Sequence, residues 1–513
     1  MAAGQRSSPR QSSSEDPGIH LFCTIKTQTP APPGWGVCGV AAPHTIFPAD
    51  VRFRPLPVVW KSALQGRSVK QNTSRGPHCT QVFNMRLPIR AVTPESESAE
   101  IIGWVHEVRD LGGLTFFLIR DRTGIIQVTI PKKKVPAEIV EAARDVSRES
   151  VVRVQGKVKA IAKAPGGREI VPEELEIISV AESPLPLDVA EKVPAEMDTR
   201  IDSRFLDVRK PRVRAIFAIR STVTCAATEF LHSRGYINIT TPKIVAAATE
   251  GGTELFPIAY FEKEAFMNQS PQLYKQMMMA AGFEKVFEIG PIFRAEEHNT
   301  VRHLNEATSL DVEASFADHN DVMELLEDLI VYVYEAVAKT CGEHLAELDV
   351  DLAVPKKPFP RIPYAEAIEI ANATIEEKLA FGDDLSPAAE RAIGNEIGQH
   401  YFVVDWPTDI RPYYAMPYPD RPEFCKAFDL MHPRMELSSG AQRIHDHDLL
   451  VERIRAKGLA PEAFEFYLKA FRYGMPPHAG WGLGIERLVM TMLGLGNIRE
   501  AVLFPRDRHR LTP

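Results

Sequence analysis

Between Glu100 and Val180 apolar and polar residues alternate in short bursts. Ile101–Val108, Leu114–Arg120, Ile125–Ile130, Val151–Ala160 and Glu169–Val180 each read as a half-buried strand, because side chains two apart share a face. Asp110–Gly113, Asp121–Gly124 and Pro165–Gly167 carry the turn residues that separate them. A helical stretch over 136–146 falls between the third and fourth strands. Five strands with a helix after the third is the order of an OB-fold, a small β-barrel that binds oligonucleotides. Any small β-domain can produce short strands, so the order carries this expectation and the count does not.

After a Pro-rich passage, Ser183–Pro194, the period changes. Arg214–Ser233 repeats at helical spacing and leads into Tyr236–Thr241, a strand ended by Pro242. Val286–Phe293, Leu310–Phe316 and Phe424–Leu430 read as neighbouring strands of an antiparallel sheet, and Val322–Thr340 and Glu452–Ala470 as helices covering it. Strands and helices do not alternate regularly, so a doubly wound sheet is not expected. The fold class expected is α+β: a barrel over 85–182, a linker over 183–197, and an antiparallel sheet flanked by helices over 198–513.

Composition changes this picture at one end only. A hydrophobic fraction of 44% and a charged fraction of 25% are ordinary for a globular protein. No apolar run is long enough to span a membrane. The six cysteines include no C-x-x-C pair, which argues against a zinc ribbon or disulfide scaffold and fits a reducing cytoplasm. The net charge of −8 exerts no general pull on nucleic acid, so any such partner must be met by local surface. Residues 1–84, however, hold nine Lys/Arg against three Asp/Glu, with many prolines and serines and no apolar period. That composition reads as disorder, or as a transit peptide, or as sequence upstream of a true start at Met85. The order that sets in from Met85 favours the last.

Four segments carry chemistry. Gly235-Tyr-Ile-Asn-Ile-Thr-Thr-Pro242 follows the long helix. Phe293-Arg-Ala-Glu-Glu-His-Asn-Thr-Val-Arg-His303 is a strand ending in Arg294 and Glu296, then a charged loop. Arg434-Met-Glu-Leu-Ser-Ser-Gly-Ala-Gln-Arg443 offers oxygen ligands and two arginines. Gly482-Leu-Gly-Ile-Glu-Arg487 is a glycine-rich strand end entering a helix. Taken alone, the last is a common tight turn with a surface arginine. The first, second and fourth, in this order, resemble motifs 1, 2 and 3 of the class II aminoacyl-tRNA synthetases. With a barrel in front, the resemblance narrows to the aspartyl, asparaginyl and lysyl subgroup. It is strongest to the archaeal-type aspartyl enzymes, over essentially all of 85–513, including the ending Leu503-Phe-Pro-Arg-Asp-Arg508.

The resemblance implies activation of L-aspartate with ATP, Mg²⁺ as cofactor, transfer to tRNA(Asp), and a homodimer built through motif 1. Joining a carboxylate to an α-phosphate brings two anions together, so fixed cations are needed. Arg294 would bridge them, with Glu296, Arg302, His303 and Leu304 around the nucleotide. Arg487 would hold the γ-phosphate, beside Gly484, Ile485 and Glu486. Glu436 and Ser439 would be the Mg²⁺ ligands, since hard oxygens suit that ion. Arg443 and Lys275 would meet the side-chain carboxylate of aspartate. Gln272, one helical turn before Lys275, would share its face, and Glu250 and Asp311 would receive the α-ammonium. An asparaginyl enzyme would not need two cations at that place. An asparagine synthetase built on the same catalytic fold generally lacks the barrel.

In the barrel, Phe116 and Gln127 would stack on and read the central anticodon base, as barrels of this kind do with unpaired bases. Phe117 competes with Phe116, because one of the two must face inward. Discriminating aspartyl enzymes carry a tryptophan where this chain has His106 and a lysine where it has Pro165. Proline removes an ammonium donor and a backbone N–H from the loop over 162–168. The pair therefore favours a non-discriminating enzyme that also charges tRNA(Asn), with a discriminating one as the alternative.

Overall fold

The structure is a computed structural model that describes residues 87–246, 255–297 and 299–513. Five strands, β1 (Ser98–Asp110), β2 (Leu114–Arg120), β3 (Ile125–Pro131), β4 (Val151–Ala160) and β5 (Arg168–Ser179), close into a barrel in the order β1-β2-β3-β5-β4. Two of the five match the expected bounds residue for residue, and the helix Ala137–Arg144 falls where expected. The alternation explains the closure. Phe117, Ile119, Val128, Ile130, Val152 and Val154 point inward and are fully buried. Phe116 points out, half-buried, so the choice between the two phenylalanines falls on Phe117 for the core. His106 is not a plain strand residue. The β1–β2 register slips between Val105 and Glu107, which makes His106 the extra residue of a bulge.

A second sheet has eight strands in the order β12-β13-β14-β15-β16-β11-β10-β6. They are β6 (Ile237–Asn238), β10 (Lys285–Phe293), β11 (Glu306–Ser315), β12 (Arg361–Pro363), β13 (Tyr401–Pro407), β14 (Phe424–His432), β15 (Met435–Arg443) and β16 (His478–Gly484). Only the two edge pairs are parallel. A small sheet, β7 (Ile244–Val245), β8 (Pro257–Tyr260) and β9 (Lys263–Met267), lies beside the chain's entry to the large one. The helices Pro211–Ser233 and His319–Thr340 bury Ile219, Val223, Leu326 and Ile330 in one apolar cluster with Val312 and Trp481 of the sheet. Among the described residues no helix is long and apolar enough to cross a membrane.

Three expectations about elements change. The strand expected over Tyr236–Thr241 pairs at only two residues, because Thr241 gives its N–H and hydroxyl to the Glu288 carboxylate instead of to the ladder (3.0 and 2.6 Å). The helix expected over Glu452–Ala470 is split into His447–Ala456 and Glu465–Phe471. Gly458 takes φ +72° and Pro461 opens a separate turn, and both stop a helix. Phe424–His432 is not adjacent to β11; β15 and β16 lie between them.

Candidate active site

β11, β15 and β16 run side by side, and their register places Asp311, Gly482 and Ser439 in one row across the sheet. A Cβ on Gly482 would make a tight contact, 3.1 Å from an Asp311 carboxylate oxygen. On Gly480, two residues back, a Cβ would stand 2.1 Å from the carbonyl of Val312. Above this row opens a cavity of about 430 Å³, within the range of small-molecule sites. Gln272, Arg294, Glu296, Arg302, His303, Leu304, Asp311, Glu436, Ser439, Arg443, Gly484, Glu486 and Arg487 all line it. These residues come from segments up to 215 positions apart, which the sheet brings together.

Arg443 is buried and held as a fork. Its Nε donates to Glu313 Oε1 at 3.0 Å, and its Nη2 donates to Glu313 Oε2 and Gln272 Oε1, both at 3.4 Å. Glu313 is fully buried. Burial works against its charge, but Arg443 and Lys275 override that and hold its carboxyl below the usual range. Next to it, burial pushes His478 down to about 4 against the pull of Glu313. Gln276 bridges His478 and Gln272, so the fork rests on a closed hydrogen-bond network.

Two sequence candidates do not line the cavity. Lys275 is buried one layer behind it, its ammonium donating to Asp311 Oδ1 (3.0 Å) and to the carbonyls of Trp481 (3.1 Å) and Val312 (3.3 Å). It shares a buried face with Gln272 as the helical spacing required, yet its charge is directed at Asp311 and Glu313. Ile485 belongs to the apolar core, being the first residue of a helix whose apolar side packs inward. Glu250 lies outside the described residues.

The nucleotide-side candidates are equally tied down. Arg302 donates to Glu390 (2.7 Å) and to the carbonyl of Arg434 (2.6 Å). His303 meets Thr300 at 2.7 Å, and burial lowers its pKa despite Glu296 nearby. Glu486 accepts from Arg220 (2.6 Å) and from the backbone of Thr308 (2.9 Å). Arg487 reaches Glu436, through its carbonyl at 3.2 Å and its carboxylate at 3.4 Å.

Sequence reasoning missed Asp429, which the register sets opposite Ser439. Burial pushes its carboxyl up to about 6; Arg411 opposes the rise and Glu436 adds to it. One of its oxygens accepts from Arg411, and the other is buried without a hydrogen-bond partner. An orphaned carboxylate oxygen beside Glu436 and Ser439 is a donor set that fits a hard divalent cation. No three His, Cys, Asp or Glu side chains converge among the described residues, so phosphate oxygens would have to complete such a site. Glu313, Glu390 and Arg220 were also missed. For Glu313 a signal existed: Asp311 and Glu313 stand two apart on one apolar strand, so they share a face.

On the barrel, Leu118 pairs with Gln127 and Phe116 with Thr129, which makes Phe116 and Gln127 diagonal neighbours on the outer face. Gln127 donates to Glu169 at 2.9 Å and to Thr129 at 3.2 Å. Pro165 opens the short turn Pro165–Gly167 between β4 and β5. His106 lies at the Arg120 end of the outer face, 2.9 Å from that guanidinium.

Comparison with known proteins identifies both folded regions. Residues 196–508 match the model of the class II tRNA synthetases (D, K and N), and residues 99–178 that of the OB-fold nucleic acid binding domain. The chain is similar to the aspartate–tRNA(Asp/Asn) ligase of Methanoculleus marisnigri, 90% identical over 429 residues, covering 84% of this chain and all of that protein. It is 63% identical to the enzyme of that name from Archaeoglobus fulgidus, again over 84% of this chain and all of the relative. Among solved structures it is similar to the asparaginyl-tRNA synthetase of Pyrococcus horikoshii with asparaginyl-adenylate: TM-score 0.79, 37% identity, 83% of this chain and 99% of that one. The aspartyl-tRNA synthetase of Entamoeba histolytica gives 0.76 at 32% identity, over 90% of this chain and all of the other. With its barrel, its three motifs and a cation-lined cavity on one antiparallel sheet, the chain belongs to the class II tRNA synthetases of the D, K and N group.

Proposed function

We propose that this protein activates L-aspartate with ATP and transfers it to tRNA(Asp) and also to tRNA(Asn). The observation that carries the reading is Arg443, a buried guanidinium set as a fork at the cavity wall by Glu313 and Gln272. Such a fork suits a side-chain carboxylate, whereas an amide would gain little from it. Lys275 acts from behind, fixing Asp311 and Glu313 while adding positive potential; Asp311 and Gln272 orient the amino acid, together with Glu250.

Arg294 bridges the reacting carboxylate and the α-phosphate, stabilising charge that spreads during in-line attack. Glu296, Arg302, His303 and Leu304 frame the adenine and phosphates, and Gly484, Glu486 and Arg487 close the γ-phosphate end. Glu436 and Ser439, with Asp429, would hold Mg²⁺, which supplies charge neutralisation on the phosphates. Phe116 and Gln127 receive the anticodon. His106 and Pro165, in place of tryptophan and lysine, favour the relaxed choice of tRNA, as do the relatives named for both tRNAs. Aspartate placed on tRNA(Asn) then requires an amidotransferase to become asparagine. Two copies pair through the helix Pro211–Ser233 and the strand after it.

The rival reading is an asparaginyl enzyme, since a relative of that name shares the fold. Pyrophosphate exchange with aspartate, asparagine and lysine separates the two. Exchange should depend on aspartate alone, and exchange supported by asparagine instead would overturn the reading.

A further inference from the structure

The barrel and the large sheet keep separate apolar cores. The barrel's cluster draws on residues 89–177 and the sheet's main cluster on residues 215–502. Polar groups therefore matter at the joint between them, and polar joints leave domains free to move unless something fixes them. Arg90–Glu343 crosses it largely exposed, where an ion pair contributes little. Glu149 is different. It follows the helix Ala137–Arg144 with φ +68°, a backbone conformation that side chains other than glycine rarely adopt. Its side chain has no exposed surface, and one oxygen accepts from both Arg120 of the barrel and Arg209 of the catalytic side, each at 2.8 Å. Its other oxygen lies 3.8 Å from His106 Nδ1. The Arg209 guanidinium also lies over the Trp104 ring, 5.4 Å from its centre.

Each end of this joint leads to a binding surface. Arg120 is on β2, in the same outward row as Leu118 and Phe116. Arg209 stands two residues before the helix Pro211–Ser233, which carries Arg220 to Glu486 at the cavity. We propose that Glu149 is a positioning residue for tRNA: through Arg209 it pins the barrel to the catalytic domain, so that a tRNA held by its anticodon presents its acceptor end to the cavity. Two-point binding gains only when both points are held at a fixed separation and orientation. With the pin removed, anticodon contacts still form but no longer deliver the acceptor end. The proposal rests on the tRNA-charging reading above.

Arg209→Gln is the cleaner test, because it breaks the crossing pair and leaves Arg120–Glu149 intact inside the barrel; Glu149→Gln is the second variant. Aspartate-dependent pyrophosphate exchange needs no tRNA and should be unchanged in both. Charging of the cognate transcript should fall about tenfold in kcat/KM, and the penalty for replacing the central anticodon base should shrink with it. Three results would overturn the proposal: charging as in the unaltered protein, exchange falling in parallel with charging, or a full anticodon penalty retained while charging falls. An unaltered protein that charges neither transcript would remove the underlying reading instead, so the two failures are distinguishable.

Discussion

Glu149, at the foot of the barrel, and Asp429, under the cavity, are both buried carboxylates, and their surroundings push them in opposite directions. Burial works against the charge of each. At Glu149 that is overcome by His106, Arg120 and Arg209, and the carboxyl is held down to about 2. At Asp429 one arginine does not suffice, because Glu436 adds a second negative charge, and the carboxyl is pushed up to about 6. Glu390 repeats the pattern: burial and Glu436 push it up to about 7 in spite of Arg302. At the joint two arginines share one oxygen of a single carboxylate, whose second oxygen is buried without a hydrogen-bond partner, so the charges there serve position. At the cavity, burial and the neighbouring Glu436 keep Asp429 and Glu390 short of full compensation, which suits a site that a divalent cation and phosphates complete.

The largest effect should come from breaking the buried network around the fork. Arg443→Leu removes the fork and leaves Glu313 buried with Lys275 alone. Aspartate-dependent exchange should fall by about 2–5 kcal/mol in transition-state terms, the range for truncating a buried charge pair. ATP affinity should change little. Exchange surviving within a few-fold would show that Arg443 does not set the amino-acid preference.

Acid should weaken the fold in two stages, the buried histidines first and the paired carboxylates, Glu149 and Glu313 among them, second. His478 binds its proton only near pH 4 when folded, against 6.5 when free, so its contribution is complete above about pH 6.5 and is lost as pH falls toward 4. His432, at about 4, and His400, at about 3, act in the same direction, while Asp429 and Glu390, pushed up to about 6 and about 7, take up protons first in the folded state and offset part of this loss. Glu149 contributes above its unperturbed value of 4.5, and that contribution is lost as pH falls toward 2. A shift of this size corresponds to roughly 3 kcal/mol. Urea midpoints followed from about pH 7 to about pH 3 should therefore fall in two stages, and Glu149→Gln should flatten only the lower one. A lower stage unchanged by the substitution would contradict the part assigned to Glu149.

The same contrast explains what could be read from the chain. The barrel's strands pair mostly with near neighbours in sequence and alternate with period two, so their bounds follow from local pattern. The sheet's order is set by distant pairings such as β11 with β16, which no local window contains. Arg294, Glu436, Arg443 and Arg487 were proposed from the family resemblance of their segments, and the sheet brings all four to one cavity. Asp429 and Glu390 were not, because a lone acid in an apolar strand or on an amphipathic helix reads as an ordinary surface charge until the fold buries it. Lys275 was legible as a site residue, but its burial behind Asp311 depends on β11 and β16 lying side by side.

The smallest effect concerns the barrel's rim, where contacts are exposed and individually weak. The turn Pro165–Gly167 is held by hydrogen bonds of Ala164 N to Ile161 O and Gly167 N to Ala164 O, both 2.9 Å, and neither involves position 165. Pro165→Lys should therefore leave the turn intact while restoring a backbone N–H and adding an ammonium beside the anticodon loop. Charging should shift toward tRNA(Asp) over tRNA(Asn) by a several-fold factor, on the order of 1 kcal/mol, as expected of an exposed contact. His106→Trp is a poorer probe, because indole offers Arg120 no acceptor and would leave a buried guanidinium short of one partner. Its cost should appear as a lowered melting temperature as well as altered charging. Parallel charging of purified tRNA(Asp) and tRNA(Asn) transcripts measures the shift. An unchanged ratio after Pro165→Lys would show that this loop does not read the third anticodon base, and that relaxed specificity must arise elsewhere on the barrel face.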